Sequence, residues 1–253
     1  MLFKLFICFV ASMAAGIGTG FAGMSAAAVI GPVLSGFLGI PVYQAVGIGL
    51  ISDVLASAAS ARQYYQNGNL DIKDALPLLI SVLTASVAGS YAASLFPDRA
   101  VGNLAQIGLI LVGLRFLLMK EKEEEKPKMS GSRHLLGSIF GGILVGFTCG
   151  FIGAGGGVML LLILTIALGY DMHLAVGTSV FIMAFTALIG GVSHFVIGGM
   201  PDLIEVVACV IFTYLFARMA AKYANKAKPI VLHRIVGLIM VATALIVLLV
   251  KGF

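Results

Sequence analysis

Long apolar segments and short polar stretches alternate along this chain. The apolar segments cover about residues 3–38, 42–63, 75–96 and 101–119 in the first half, and about 135–168, 172–197, 203–221 and 230–250 in the second half. A helix of about 20 apolar residues crosses the ~30 Å hydrocarbon core of a bilayer. The pattern therefore predicts an all-α, polytopic membrane protein with about eight apolar segments.

The two halves of the chain resemble each other in sequence. Gly16 aligns with Gly146 and Gly68 with Gly198, at an offset of 130 residues without a gap. Ten of the first 35 aligned positions are identical, and several of these are glycines. Two such halves with glycine-rich interruptions are typical of secondary transporters, whose site lies between the repeats. The predicted division is a first transmembrane repeat (1–119), a charged cytoplasmic linker (120–133) and a second transmembrane repeat (134–253).

The first segment of each half is too long for one straight crossing. Residues 135–168 would form a helix about 50 Å long at 1.5 Å per residue, against a core of ~30 Å. Glycines, which disfavour helix interiors, lie in the middle of both segments: Gly16, Gly18, Gly20 and Gly23 in the first, and Gly150, Gly153, Gly155, Gly156 and Gly157 in the second. We expect each of these segments to break into a re-entrant helical hairpin.

Loop charges predict the orientation. Lysine and arginine concentrate in residues 62–73, 120–133 and 218–234, and the positive-inside rule places all three stretches in the cytoplasm. This arrangement requires the first segment of the second half to enter the membrane and return, so the repeats are predicted to be inverted, with both termini outside. Lys4 and Lys251 oppose this orientation, and Glu205 is expected at the membrane interface.

Composition excludes several classes of protein. A mean hydropathy of +1.09, with 60% apolar and 11% charged residues, is far from that of soluble domains, and the net charge of +5 reflects membrane orientation rather than nucleic-acid binding. The N-terminal segment is not read as a signal peptide, because residues 133–150 occupy the equivalent place inside the chain. Cys8, Cys149 and Cys209 lack metal-type spacing, so we expect no metal, cofactor or disulfide framework, and Cys149 is expected to be a small core thiol.

Glycine-rich and polar motifs carry a resemblance to a known family. The second half contains Gly150-Phe151-Ile152-Gly153-Ala154-Gly155-Gly156-Gly157, then Ala175-Val176-Gly177-Thr178-Ser179, then His194, while the first half has the turn Gly68-Asn69-Leu70-Asp71. This combination resembles the sulfite exporter TauE/SafE family of membrane transporters. The resemblance implies proton-coupled export of small sulfur-containing anions, such as sulfite or organosulfonates. The first half departs from the pattern, since Met24-Ser25-Ala26-Ala27-Ala28 replaces the triple glycine, and the two halves need not contribute equally to binding.

Asp53 lies near the middle of its apolar segment, with no charged neighbour in sequence. An ionised carboxylate at the centre of a bilayer costs at least about 2.5–3.5 kcal/mol, so Asp53 must be protonated, paired or facing water. Its repeat mate is Met183, so repeat symmetry does not account for it. Asp53 is therefore a candidate for proton coupling; the alternative is a structural hydrogen bond to a backbone group freed by the helix break.

Two polar helix faces accompany this carboxyl group. Asp53, Ser57, Ser60 and Tyr64 are spaced at i, i+4, i+7 and i+11, and Ser179, Thr186, Gly190 and His194 form the corresponding face of the second half. These faces are predicted to line the interface between the repeats, although small residues also serve plain helix packing. His194 is either a second proton-coupling residue, titrating near pH 6.5, or an ordinary hydrogen-bonded histidine.

Backbone N–H groups at helix starts attract anions without a full positive charge. We therefore expect the substrate at Gly23, Gly153, Gly155, Gly156 and Gly157, with hydroxyl donors from Thr19, Ser25, Thr178 and Ser179. Neutral donors suit a carrier that must release its cargo.

The sequence favours a prokaryotic inner-membrane carrier of small anions, with alternating access at a midplane site and protons as the coupling ion. Its expected partners are the anion, protons and the lipid bilayer, with no nucleic acid; the oligomeric state is open. A passive anion channel is the first alternative. A membrane-embedded enzyme is the second, and it requires Asp53 and His194 within reach of each other or of one substrate.

Overall fold

The computed structural model describes residues 1–93, 131–152 and 156–228, together with scattered residues between 110 and 118 and between 230 and 245. The described residues form helices joined by short connections and contain no strand. Five helices are long and apolar enough to cross a membrane: Leu2–Ala22, Tyr43–Gln66, Ile72–Gly89, Met172–Val196 and Leu203–Ala224. The prediction of an all-α, polytopic membrane protein is confirmed. Most of the predicted segments 101–119 and 230–250, and most of the linker 120–133, lie outside the described residues.

Two sets of helices follow each other in the same order. The first set is α1 (Leu2–Ala22), α2 (Ala27–Leu38), α3 (Val42–Gln66) and α4 (Ile72–Ala93). The second set is α5 (Gly131–Ile152), α6 (Gly156–Leu162, continued by a π-helical turn at Ile163–Ala167), α7 (Met172–Gly198) and α8 (Leu203–Ala224). Each helix of the second set begins 129 to 131 residues after its counterpart, as Gly131 does after Leu2 and Leu203 after Ile72.

The long first segment breaks as predicted, but at its last glycine. α1 ends at Ala22, and Gly23 adopts the left-handed conformation with φ 58°. The N–H groups of Gly23 and Met24 then bond the carbonyls of Thr19 and Gly18 at 2.9 and 3.3 Å, so the helix ends at a left-handed glycine whose N–H satisfies a terminal carbonyl group. α2, with 12 residues, is about 18 Å long and too short to cross the core.

The earlier glycines of this segment do not break the helix. Gly16, Gly18 and Gly20 lie within α1 and are buried. A Cβ atom on Gly16 would lie 2.6 Å from the carbonyl oxygen of Thr213 in α8, so this glycine permits close helix packing rather than a turn. The sequence does not show which glycine permits helix packing and which breaks the helix. The contact with the neighbouring helix shows it.

The helix pairs connect the two sets reciprocally. α1 packs along α8 and α4 packs along α5, so the first helix of each set lies against the last helix of the other. α3 and α7 pair with each other in opposite directions, with Gly47 against His194 and Tyr64 close to Gly177. This arrangement places the middle of α3 beside the helix break. The inversion of the two repeats and the re-entrant course of the hairpins stay predictions.

Candidate functional site

The segment between α1 and α2 meets the start of α6 in the interior. Gly157 of α6 lies directly against the carbonyl group of Gly23 and the thioether of Met183. The hydroxyl group of Ser179 on α7 contacts Gly23 from the other side. A side chain at either glycine would overlap these atoms, so the close approach depends on the missing Cβ atoms. We call this contact of Gly23, Gly157, Ser179 and Met183 the crossing.

Asp53 lies on α3 beside the first helix break and is completely buried. The Ser57 hydroxyl donates to its Oδ1 atom at 2.9 Å, and the Thr19 hydroxyl lies 3.4 Å from the same atom. Thr19 also donates to the Met24 carbonyl oxygen at 2.8 Å. The Ser25 hydroxyl and the Ala26 N–H, just before α2, face the carboxyl group as well. The structure therefore joins Thr19, Ser25 and Asp53, which the sequence proposed separately, in one cluster of oxygen atoms.

No positive group balances this carboxyl group among the described residues. The ion pair in the described part of the chain joins Lys4 to Glu205 and does not involve Asp53. The side chains of Tyr64 and His194 bond backbone carbonyl groups instead of Asp53. The Oδ2 atom of Asp53 is buried without any hydrogen-bond partner in this part of the chain. A buried charge without a partner is costly, so Asp53 needs a proton or a cation to be stable here.

The predicted polar face of α3 points into the protein. Asp53, Ser57, Ser60 and Tyr64 are all completely buried. The Tyr64 hydroxyl donates to the carbonyl oxygen of Gly20 at 3.0 Å and so ties the end of α3 to α1. Ser60 has no hydrogen-bond partner within the described residues. The face spacing placed these residues correctly, because α3 is an uninterrupted helix.

The corresponding face of α7 is less uniform. Ser179 is buried at the crossing, whereas the half-buried Thr186 directs its hydroxyl to carbonyl groups of its own helix. Gly190 packs against Leu50, 3.2 Å from the place of its missing Cβ atom. The two halves therefore contribute different chemistry, as the departure of the first-half motif suggested.

His194 lies away from the Asp53 cluster. Its Nδ1 atom is 2.8 Å from the carbonyl oxygen of Gly190, and its ring stacks on Tyr43 with centroids 4.2 Å apart. It borders Gly47 of α3, six residues and therefore about 9 Å along the helix from Asp53. No hydrogen bond joins the two residues in the described structure, so this geometry gives no support to an acid–base pair.

The remaining predicted anion-binding residues fall into three groups. Thr178 is completely buried, and its hydroxyl has no partner among the described residues. Gly156 lies against the thiol of the half-buried Cys149. Gly153 and Gly155 lie outside the described residues, so their roles stay predictions.

The repeat mates of Thr19 and Asp53 differ from them in chemistry. At the 130-residue offset, Thr19 corresponds to Cys149 and Asp53 corresponds to Met183. Both sulfur-containing side chains contact glycines at the start of α6. The first half thus presents oxygen atoms at its break where the second half presents sulfur. The sequence alignment of the halves contains this signal.

The Lys4–Glu205 ion pair was also missed. The Lys4 Nζ atom lies 2.8 Å from Glu205 Oε1, and the Glu205 side chain is only 5% exposed. Glu205 is therefore buried against α1, while its expected position at the membrane interface stays a prediction. Because its charge is paired within the protein, Lys4 is weaker evidence against an outside N-terminus than an unpaired lysine.

Comparison with known proteins identifies the family. The family model described as sulfite exporter TauE/SafE matches residues 8–247, nearly the whole chain. The chain belongs to the sulfite exporter TauE/SafE family. The resemblance found in the glycine motifs is confirmed, and the protein is an integral, multi-pass membrane protein of a transporter family.

Two curated relatives of this TauE/SafE protein have matching lengths. The probable membrane transporter protein YdhB of Bacillus subtilis (strain 168) is 24% identical over 237 residues, which cover 92% of this chain and 96% of the relative. The probable membrane transporter protein YunE of the same organism is 23% identical over 248 residues, which cover 91% of this chain and 90% of the relative. The family and both names indicate a membrane transporter rather than an enzyme.

Proposed function

We propose that this TauE/SafE protein is a secondary transporter that exports small sulfur-containing anions, such as sulfite or short organosulfonates, across the inner membrane of a prokaryotic cell. The observation that carries the proposal is the completely buried Asp53 beside a helix break that contacts the second half of the chain. Discontinuous helices and a midplane site between repeats are the common design of secondary transporters. The repeats 1–119 and 134–253, joined by the linker 120–133, are the two moving parts in this proposal.

The anion is proposed to bind next to the crossing. The partnerless Thr178 hydroxyl and N–H groups at the start of α6 are the proposed donors. The Ser179 hydroxyl, which donates to the Val176 carbonyl oxygen of its own helix at 2.9 Å, and the Ser25 hydroxyl, which faces Asp53, would turn toward a bound anion. No lysine or arginine is buried among the described residues. Such a site holds an anion by several weak hydrogen bonds and releases it readily.

Asp53 is proposed to couple anion binding to a proton. Thr19, which faces Asp53, lies one helical turn before Gly23 of the crossing. An ionised Asp53 would repel an anion bound at the crossing, and this repulsion is strong in a dry interior. Protonation of Asp53 removes the repulsion, so the anion and the proton are expected to move together. Because a proton gradient directed into the cell favours uptake by such symport, net export requires an outward anion gradient that exceeds it.

Flux in proteoliposomes tests this proposal. Purified protein is reconstituted, and the flux of sulfite, thiosulfate and short organosulfonates is measured with and without a pH gradient, at clamped membrane potential and without sodium. Wild-type flux is expected to follow the pH gradient, and Asp53→Asn is expected to transport without responding to it. Ser52→Ala is a matched control, because Ser52 is buried next to Asp53 but bonds the Ile48 carbonyl of its own helix at 2.7 Å.

Two results contradict the carrier. Flux that ignores both the pH gradient and Asp53→Asn indicates a passive channel and a structural Asp53. Absence of flux for every tested anion, from protein that remains folded, removes the proposed substrate class.

A further inference from the structure

The Asp53 cluster has the composition of a cation site. Four oxygen atoms from two helices and one unwound segment lie close together: Asp53 Oδ1, Ser57 Oγ, Thr19 Oγ1 and the Met24 carbonyl oxygen. The Ser25 hydroxyl faces the same carboxyl group. Hydroxyl, carbonyl and carboxylate oxygens are the ligands that hard cations prefer.

The second observation is an unused ligand. Asp53 Oδ2 is completely buried and accepts no hydrogen bond of good geometry among the described residues. The Ser25 hydroxyl and the Ala26 N–H face the carboxyl group without closing such a bond. Its other oxygen already accepts from Ser57. The cluster therefore has a carboxylate oxygen left over and no protein cation to use it.

Charge balance selects the ion. The described surroundings of Asp53 contribute one carboxylate and otherwise neutral groups, among them the Ala26 N–H. A monovalent ion therefore leaves the buried cluster neutral, and a divalent ion leaves it positive. A net charge in a dry interior is strongly disfavoured. The unwound segment after α1 also exposes backbone carbonyl groups, which coordinate sodium at broken helices in membrane carriers.

We propose that the Asp53 cluster binds one sodium ion, with Asp53, Ser57, Thr19 and the Met24 carbonyl as ligands. The second half has no equivalent site, since Met183 and Cys149 replace Asp53 and Thr19 at the repeat positions, and their sulfur atoms are poor sodium ligands. Binding is therefore expected at one ion per chain.

The consequence for transport rests on the proposed function. Sodium neutralises Asp53 as a proton does, so a sodium gradient is expected to drive the same anion flux. Ion binding itself does not depend on the substrate, and it is measured without one.

The test is equilibrium binding of radioactive ²²Na⁺ to purified full-length protein in detergent, with choline chloride keeping the ionic strength constant. Wild type is expected to bind saturably at one ion per chain. Asp53→Asn is expected to lose binding, and Ser57→Ala is expected to weaken it by about tenfold, the lower end of what a supporting metal-site group contributes. Ser52→Ala is expected to bind as wild type, since its hydroxyl bonds only its own helix.

Folding of each variant is checked by gel filtration and thermal unfolding, and Ser57→Ala against Ser52→Ala decides the question if Asp53→Asn is unstable. The proposal is overturned by absence of saturable binding, by equal binding in folded Asp53→Asn, or by Ser57→Ala binding as tightly as Ser52→Ala. The flux assay separates the two proposals: pH-driven anion flux without ²²Na⁺ binding leaves the carrier and removes the sodium site. Saturable ²²Na⁺ binding without flux of any tested anion supports the sodium site and removes the proposed substrate class of the carrier.

Discussion

Substitution of Gly23 by alanine tests whether the crossing holds the two halves together. Two separate costs are expected. Gly23 has φ 58°, and an alanine in the left-handed region costs about 1–2 kcal/mol. The new Cβ atom would also overlap the Ser179 hydroxyl, and overpacking of this kind costs about 1–3 kcal/mol. The total loss in the free energy of unfolding is then about 2–5 kcal/mol.

Gly39 provides a matched control for the backbone cost. It has φ 67°, and nothing lies within 4 Å of the place where its Cβ atom would be. Gly39→Ala therefore carries the left-handed cost of about 1–2 kcal/mol without the overlap. At about 2–4 °C per kcal/mol for a chain of this size, Gly23→Ala is expected to lower the melting temperature by about 2–12 °C more than Gly39→Ala.

A second substitution isolates the contact itself. Without the Ser179 hydroxyl, the nearest atom to the new Cβ is the Cβ of residue 179 at 3.3 Å, a distance that a small shift accommodates. In a Ser179→Ala background, Gly23→Ala is therefore expected to cost little more than Gly39→Ala.

The chain has no tryptophan, so unfolding is followed by labelling of the buried Cys8 and Cys209 with a thiol-reactive fluorophore during heating in detergent. Equal melting temperatures for Gly23→Ala and Gly39→Ala would refute the overlap. A Ser179→Ala background that brings no relief would show that the contact at the crossing is not the cause.

Three further predictions concern helix contacts. Tyr64→Phe leaves the Gly20 carbonyl without its donor and is expected to cost about 1–3 kcal/mol, measured as a fall in melting temperature; an unchanged value would contradict the tie between α3 and α1. Lys4→Ala leaves the buried Glu205 charge uncompensated, so its melting temperature is expected below that of Lys4→Ala/Glu205→Gln, and the reverse order would contradict a buried ion pair. Gly16→Ala places a Cβ atom 2.6 Å from the α8 backbone and is expected to cost about 1–3 kcal/mol, whereas a variant as stable as wild type would exclude tight packing of α1 on α8.

Much of the Asp53 cluster was visible in the sequence. The spacing of Asp53, Ser57, Ser60 and Tyr64 predicted one face because a helix repeats every 3.6 residues, and all four side chains are buried. The isolated carboxyl group in an apolar segment signalled a special site by its desolvation cost alone.

Contacts between distant segments were not visible in the same way. The sequence does not distinguish the four glycines Gly16, Gly18, Gly20 and Gly23. Only Gly23 takes the left-handed conformation and ends the helix, and the other three are buried within α1. His194 and Asp53 matched as candidate titrating residues, but the opposed directions of α3 and α7 put His194 beside Gly47 instead.

The sequence by itself determined the membrane-spanning helices, the 130-residue correspondence of the two halves and the isolated carboxyl group, since hydropathy and helical spacing are local properties. Only the tertiary structure decided that Gly23 meets Gly157 and that Thr19 and the segment after α1 lie beside Asp53. Such contacts join residues far apart in the chain, and they form where side chains are small enough for helices to approach, which depends on both partners at once.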